Sequence, residues 1–360
     1  MLLVSRDQLR AEANGEGWHL VGGESTRLEL ANDFLASLVD RNYSPRTVRS
    51  YAFDLLDFVR FLEKDDVAIE QVSAEVLLRY LAACRQVPRR GGENVFSIDD
   101  GRNAGYAPST INRRLAAISG MYGFASLRDP AFTSPVPKGR EENRTARRAR
   151  SGLLGHLARP RTRSALRVRE PRRLPRALDR SEAVALIGSL KSWRDRAIAG
   201  LMLYSGLRSS EVLGLSVRDV DIGGRWVQVL GKGNKERRVP IDVEVAGVIQ
   251  TYLLAERPAT DSTRLFVVAK GPNRGKPLTP EGLRAVFRYH RRRSGVVAGH
   301  PHALRHSFGT ALAEAGVDLA VMQALLGHDH VDSTAAYIHL APAHLRREFD
   351  AARARQRSRA

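Results

Sequence analysis

The chain has 360 residues, 43% of them apolar, and carries 58 Lys and Arg against 39 Asp and Glu, a formal net charge of +19. That length suffices for about two domains with cores of their own, and the lack of any 18-residue apolar run excludes a membrane-spanning helix. The single cysteine, Cys84, excludes an intrachain disulfide; with no basic-then-apolar secretory signal at the N-terminus, the expected compartment is a reducing cytoplasm. The positive field attracts polyanions, nucleic acid first among them, although the excess of Arg over Lys also fits a compositional bias of the genome.

Residues 1–27 show little periodicity and read as an N-terminal extension. From Leu28 the spacing turns helical, with Leu30, Phe34, Leu35, Leu38 and Val39 three or four apart. Ser44-Pro45 then reads as an N-cap and first helical position, opening a helix with Val48, Tyr51, Leu55, Phe58, Val59 and Leu62 as its core stripe. Arg46, Thr47 and Arg49 lie in its first turns, where free backbone N–H groups already favour a phosphate. A third helix runs from Ser73 toward Cys84. A fourth follows Pro108, with Ile111, Leu115, Ile118 and Tyr122 inward and Asn112, Arg113 and Arg114 available outward. The four helices make an all-α domain, 28–128, whose basic residues suit a DNA groove or, more plainly, a solvated face. The stretch 87–106 is long for a connection inside a compact domain.

Residues 129–178 hold 14 Lys or Arg against 4 Asp or Glu, ten of the nineteen net charges, with several prolines. This is the composition of an extended basic linker, either following a phosphate backbone or merely separating domains.

From Asp179 the pattern becomes mixed. Helices over Ser181–Leu190 and Trp193–Tyr204 end at Ser205-Gly206, where Gly206 is expected to be left-handed, and Glu211 lies one helical turn beyond Arg208, placed to hold its guanidinium still. Trp226–Leu230 and Arg238–Ile241 alternate as two strands of a hairpin, with Gly231-Lys232-Gly233-Asn234-Lys235-Glu236 as its tip; Leu265–Val268 is a candidate for a further short strand, and Thr279-Pro280 opens another helix. His302 and Arg305 share one helix face and can address one phosphate, with Leu304, Phe308, Ala311 and Leu312 as the apolar stripe. Asp318 caps the next helix, Gly327 stops it in a left-handed turn, and His328 and Tyr337 follow. Arginine forks and imidazoles around a phenol are the donor set that a phosphodiester under attack requires. His300, His302 and His306 also crowd together, but without cysteine or HExxH spacing they make a poor zinc site.

Taken in order, Tyr204-Ser205-Gly206-Leu207-Arg208-Ser209-Ser210-Glu211, Gly231-Lys232-Gly233-Asn234-Lys235-Glu236-Arg237, Pro301-His302-Ala303-Leu304-Arg305-His306, Leu325-Leu326-Gly327-His328 and Tyr337 resemble the signature of tyrosine recombinases of the Xer and phage-integrase kind. The likeness is strong over 179–345 and loose over 28–127. It implies a mainly α fold with a small antiparallel β-sheet: an all-α core-binding domain (28–128), the basic linker (129–178), a mixed catalytic domain (179–345) and a basic tail (346–360), closing as a C-shaped clamp on double-stranded DNA. It also implies the roles. Tyr337 is the nucleophile of a 3′-phosphotyrosyl intermediate, Arg208 and Arg305 clamp the phosphate, Glu211 braces Arg208, and His302 and His328 complete the donors. Lys232 protonates the leaving 5′-oxygen, with Lys235 as competitor. No metal, cofactor or ATP enters this chemistry. Strand exchange implies a tetramer on DNA, assembled through the tail Pro342 to Arg357; whether an accessory protein is needed stays open. The alternatives are relaxation of DNA by the same chemistry, as in type IB topoisomerases, or a catalytically silent DNA-binding protein.

Overall fold

The computed structural model describes residues 9–15, 17–22, 25–86, 105–139, 163–170, 176–231 and 235–327, and the chain divides into two compact units, Met1–Pro171 and Arg172–Ala360.

The first unit is built on four helices, α1 (Ser25–Asp40), α2 (Pro45–Lys64), α3 (Ala74–Gln86) and α4 (Pro108–Arg128). Their apolar stripes fall where the 3-to-4 spacing puts them: Leu28, Ala31, Phe34, Leu35 and Leu38 meet Val48, Leu55, Phe58 and Val59, with Tyr80, Ile111, Ile118 and Tyr122 closing the core. Pro45 stands in the first turn of α2, where a missing N–H costs nothing, and the Ser44 hydroxyl accepts from the Thr47 N–H at 3.2 Å. Buried tyrosines satisfy their polar ends inside the unit: the Tyr122 hydroxyl donates to the Ile69 carbonyl at 2.7 Å and that of Tyr80 to Asp57 at 2.9 Å.

The extension carries more structure than its sequence suggests. Strands β1 (Arg10–Asn14) and β2 (Gly17–Val21) form an antiparallel hairpin that gives Leu9 and Leu20 to the core. The Asn32 side chain of α1 clips it down, accepting from the Leu20 N–H at 2.7 Å and donating to the Leu20 carbonyl at 3.0 Å. Two described parts of the basic 129–178 segment likewise pack on this unit. Val136, Leu166 and Val168 join its core, and β3 (Lys138–Gly139) pairs with β4 (Arg163–Ser164). Residues 87–104 and the greater part of 140–175 lie outside the described residues.

The second unit wraps helices around a three-stranded antiparallel sheet, β5 (Val220–Asp221), β6 (Trp226–Leu230) and β7 (Glu236–Pro240). Val227, Val229 and Val239 face the core while Trp226, Gln228 and Leu230 face out. Helices α5 (Arg180–Ser189) and α6 (Trp193–Tyr204) fill the positions expected of them; α5 starts in a reciprocal capping box between Asp179 and Glu182. α7 (Ser209–Gly214) is followed by the sheet, then by α8 (Val243–Thr251), which the sequence reading passed over and which buries Val245 and Ile249. α9 (Pro280–Ser294), α10 (Pro301–Glu314) and α11 (Leu319–Leu326) complete the unit. The expected strand at Leu265–Val268 is not formed. Val267 makes one isolated bridge to Pro277, and Leu265, Phe266 and Val267 are buried as an extended loop, an apolar run chosen for the core rather than for a ladder. Among the described residues no helix is long and apolar enough to cross a membrane.

Candidate active site

Two turns of backbone prepare the site. Gly206 adopts φ +65°, and a Cβ there would come within 2.3 Å of the Phe308 ring, so both the turn and the packing require glycine. The turn delivers Arg208 to the start of α7, where Glu211, one turn on, accepts from the Arg208 backbone N–H and from its Nη1, both at 2.8 Å. Gly327 at φ +60° ends α11 as the sequence predicts, leaving the last carbonyls of that helix without helical partners.

Three guanidiniums take those carbonyls. Arg208 Nη2 donates to the Gly327 carbonyl at 2.8 Å, Arg237 Nε to that of Leu325 at 3.2 Å, and Arg305 Nη2 to that of Leu326. Arg305 Nη1 also donates to the Gly206 carbonyl, joining the two turns. Cations at a helix C-terminus are favoured by its dipole as well as by the hydrogen bonds.

Glu211 sits in the middle, with 3% of its side chain exposed, bonded to Arg208 and, through both oxygens at 2.9 Å, to Arg237. Burial by itself raises its carboxyl; the hydrogen bonds from Arg237 and from the Arg208 backbone outweigh that and hold it at about 2. Three guanidiniums less one carboxylate leave an excess of two positive charges among the described residues, a standing attraction for a phosphodiester.

The structure thus brings Arg208, Glu211 and Arg305 together. Arg208 keeps 30% of its side chain exposed, whereas Arg305 is 5% exposed, its guanidinium turned inward to carbonyls. His302, on the first turn of α10, is exposed and lies 5.9 Å, ring to ring, from His306. Burial, and then the charges of His302, Arg305 and His300, push His306 down to about 4, so it is neutral at pH 7. Among the described residues no three His, Cys, Asp or Glu side chains form a metal-holding group. Lys232, His328 and Tyr337, and the tail Pro342 to Arg357, lie outside the described residues; Lys235 is at the base of the hairpin, its carbonyl accepting from the Gly231 N–H at 2.8 Å.

Arg237 is the site residue that the sequence reading missed. It lies in the hairpin motif, and the alternation of β7 puts it on the same inward face as Val239. An arginine on the buried phase of a strand signals a buried anionic partner.

In the first unit, Arg46 and Arg49 are exposed on the opening turns of α2 and Thr47 is half-buried. Arg49 stacks over Trp18 of the hairpin at 5.4 Å and over Phe53 at 5.1 Å. Asn112 spends its side chain on Val168 and Glu170 of the downstream segment. Arg113 is exposed and paired with Asp54 at 2.8 Å. Arg114, expected outward, is instead buried. It pairs with Asp57, donates to Tyr80 and Cys84 and lies 3.8 Å over the Tyr106 ring, because its place on α4 falls beside the apolar stripe rather than opposite it. It is a core residue and not a groove contact.

The helical N-terminal unit and the mixed unit with three arginines gathered around one carboxylate both match known proteins. Residues 176–344 match the model of the phage integrase family, and residues 31–129 match that of the phage integrase N-terminal SAM-like domain. The chain belongs to the phage integrase family, the tyrosine recombinases, which cleave and rejoin DNA. It is 33% identical over 331 residues to the tyrosine recombinase XerC of Mycobacterium tuberculosis, covering 89% of this chain and 95% of that one. In fold it is similar to the XerH site-specific recombinase bound to palindromic difH substrate (TM-score 0.60, 18% identity, 90% of this chain and 88% of that one). A like match is the Tn1549 transposon integrase in complex with transposon right end DNA (TM-score 0.60, 16% identity, 86% and 94%).

Proposed function

We propose that this recombinase cuts DNA through Tyr337, whose phenolate oxygen attacks the scissile phosphorus, forming a 3′-phosphotyrosyl bond as the bond to the 5′-oxygen breaks. The observation that carries this is the excess of positive charge at Arg208, Arg237 and Arg305 around Glu211. Arg208 meets one non-bridging oxygen from its exposed edge. Arg305 has five N–H donors and shares them between carbonyls and the second oxygen. His302 and His328 complete the donors, His302 taking the phenol proton, since a phenol of pKa about 10 is a weak nucleophile at pH 7. Lys232 gives its proton to the departing 5′-oxygen, with Lys235 as the alternative acid. The ester conserves the bond energy, so a 5′-hydroxyl from another strand displaces Tyr337 without ATP.

In this proposal residues 28–128 grip the DNA through Arg46, Thr47, Arg49 and Arg113, while 179–345 carry the chemistry. Four copies assemble on two duplexes through the tail Pro342 to Arg357, in the cytoplasm. The length of 87–106 and the arginine-rich segment favour integration, excision or resolution of a mobile element's DNA.

The test is covalent trapping on a nicked duplex that the protein itself selects from a randomised pool, run on a denaturing gel without ATP or metal. Wild type gives a protein–DNA band and Tyr337→Phe gives none. A band that persists in Tyr337→Phe, with full-length recombinant product, removes Tyr337 from the mechanism.

A further inference from the structure

The connection from α9 to α10 is pinned along its length. Gly295 ends α9 at φ +71°, Val296 is buried in the core of the unit, and the Gly299 N–H donates to the Val296 carbonyl at 3.0 Å. A Cβ on Gly299 would lie 3.0 Å from Leu186 and 3.1 Å from the Val296 carbonyl oxygen, so a side chain there would crowd both. His300 follows at φ −109° and ψ 160°, the extended backbone that a residue ahead of proline is pushed toward and that an N-cap requires, and Pro301 takes the first helical position. The imidazole then takes the part that Ser, Thr, Asp or Asn usually plays at a helix start. Its Nδ1 accepts from the Ala303 N–H at 3.1 Å, a bond that this N–H shares with the His300 carbonyl at 2.9 Å. Within the capped turn Ala303 is buried, while His302 is exposed. A helix frays from its first turn, because the N–H groups there have no helical partners.

We propose that His300 is a positioning residue of the cleavage reaction: as the N-cap of α10, its imidazole holds the first turn in the helical form that fixes the direction of His302. The inference rests on the role given to His302 above. An imidazole cap has a property that Ser or Asn lacks. Nδ1 accepts only while it carries no proton; with a proton there, two donors face each other and a positive charge sits at the positive end of the helix dipole. The surroundings favour the neutral ring. Partial burial, then Arg291 of α9 and His302 of α10, lower the pKa of His300 from 6.5, and His306 one turn further on is itself neutral at pH 7. The cap is therefore made at pH 7 and lost in acid.

The experiment follows single-turnover cleavage of the selected nicked duplex, at saturating protein, by wild type, His300→Ala and His300→Asn from pH 8 downward. Hydrogen exchange of the Ala303 amide in the DNA-free protein reads the turn directly. Asn caps a helix without titrating. At pH 8 we expect His300→Ala to bind the duplex within about twofold of wild type, to cleave it about fivefold more slowly, the effect of one N-cap, and to exchange faster at Ala303. His300→Asn should restore both cleavage and protection. As the pH falls below 6.5, the rate of His300→Asn divided by that of wild type should rise from about 1 toward about 5, because only the histidine cap is lost. Taking the ratio removes the titration of His302, which both proteins share, and it stands alone if His300→Ala folds poorly. Wild-type cleavage by His300→Ala, a loss that His300→Asn does not restore, or a ratio that stays flat with pH overturns the inference. Failure of the underlying assignment shows separately, as His302→Ala cleaving at the wild-type rate.

Discussion

Both units pair arginines with carboxylates, with different charge balance. In the first, Arg113 and Arg114 face Asp54 and Asp57, two cations for two anions, and Tyr80, Cys84 and Tyr106 fill the remaining contacts of Arg114. In the second, Arg208, Arg237 and Arg305 share Glu211. The titration of the carboxylates reports the difference. Burial pushes Asp54 up to about 6 despite Arg113 and Arg114, whereas the donors around Glu211 overcome its burial and hold it at about 2. The first cluster is neutral as it stands; the second keeps a net positive charge.

The largest effect expected from breaking this comparison is at Glu211. Glu211→Gln leaves three guanidiniums without their shared anion; cleavage in the trapping assay should fall at least 10²-fold, and stability by about 3 kcal/mol, the worth of a carboxyl held roughly two units below its ordinary value. The pH dependence has a definite sign. A depressed carboxyl stabilises the fold above the unfolded value of 4.5, and that contribution is lost as pH falls toward 2. A denaturant series between those values should show the slope in wild type and not in Glu211→Gln.

Arg114→Ala comes next. Removing one partner of a buried pair costs about 3–5 kcal/mol. Urea melts should show that loss, while the salt dependence of duplex binding stays that of wild type; a reduced salt slope would instead make Arg114 a phosphate contact. Asp54 should behave oppositely to Glu211. A carboxyl raised in the fold stabilises below the unfolded value of 3.8, and its contribution is lost as pH rises through about 6. Asp54→Asn is therefore expected to raise the melting temperature at pH 8 relative to wild type, by the equivalent of at most about 3 kcal/mol, and to give no gain at pH 4. The smallest effect is at the hairpin. Trp18→Ala removes a cation–π partner of Arg49 worth about 0.5–1 kcal/mol, so duplex affinity measured by titration should drop no more than about fivefold.

Much of this was legible in the sequence because local chemistry dictates it. The 3-to-4 apolar spacing gives α1 to α4, Ser44-Pro45 gives the start of α2, and left-handed Gly206 and Gly327 are required by the turns they make. Arg208 and Glu211 meet because they are one helical turn apart. What was not legible depends on distant partners. Arg114 is adjacent to the stripe of α4, and only Asp57 and Tyr80, on two other helices, draw it inside. Arg237 gains its role from residues 26 and 88 positions away. The hairpin at 10–21 is too short and too polar to stand out until Asn32 and the core claim it. The Leu265–Val268 run reads as a strand because a buried extended loop and a buried strand have the same composition.

The central claim is that the excess charge at Glu211 exists to meet a phosphodiester. The direct measurement is single-turnover cleavage by Arg208→Ala of two duplexes, one with the natural scissile phosphate and one with a methylphosphonate, which has no charge to neutralise. The account predicts that Arg208→Ala is at least 10²-fold slower than wild type on the phosphate and recovers most of that on the methylphosphonate. Equal impairment on both substrates would contradict it and leave Arg208 a structural cap on α11.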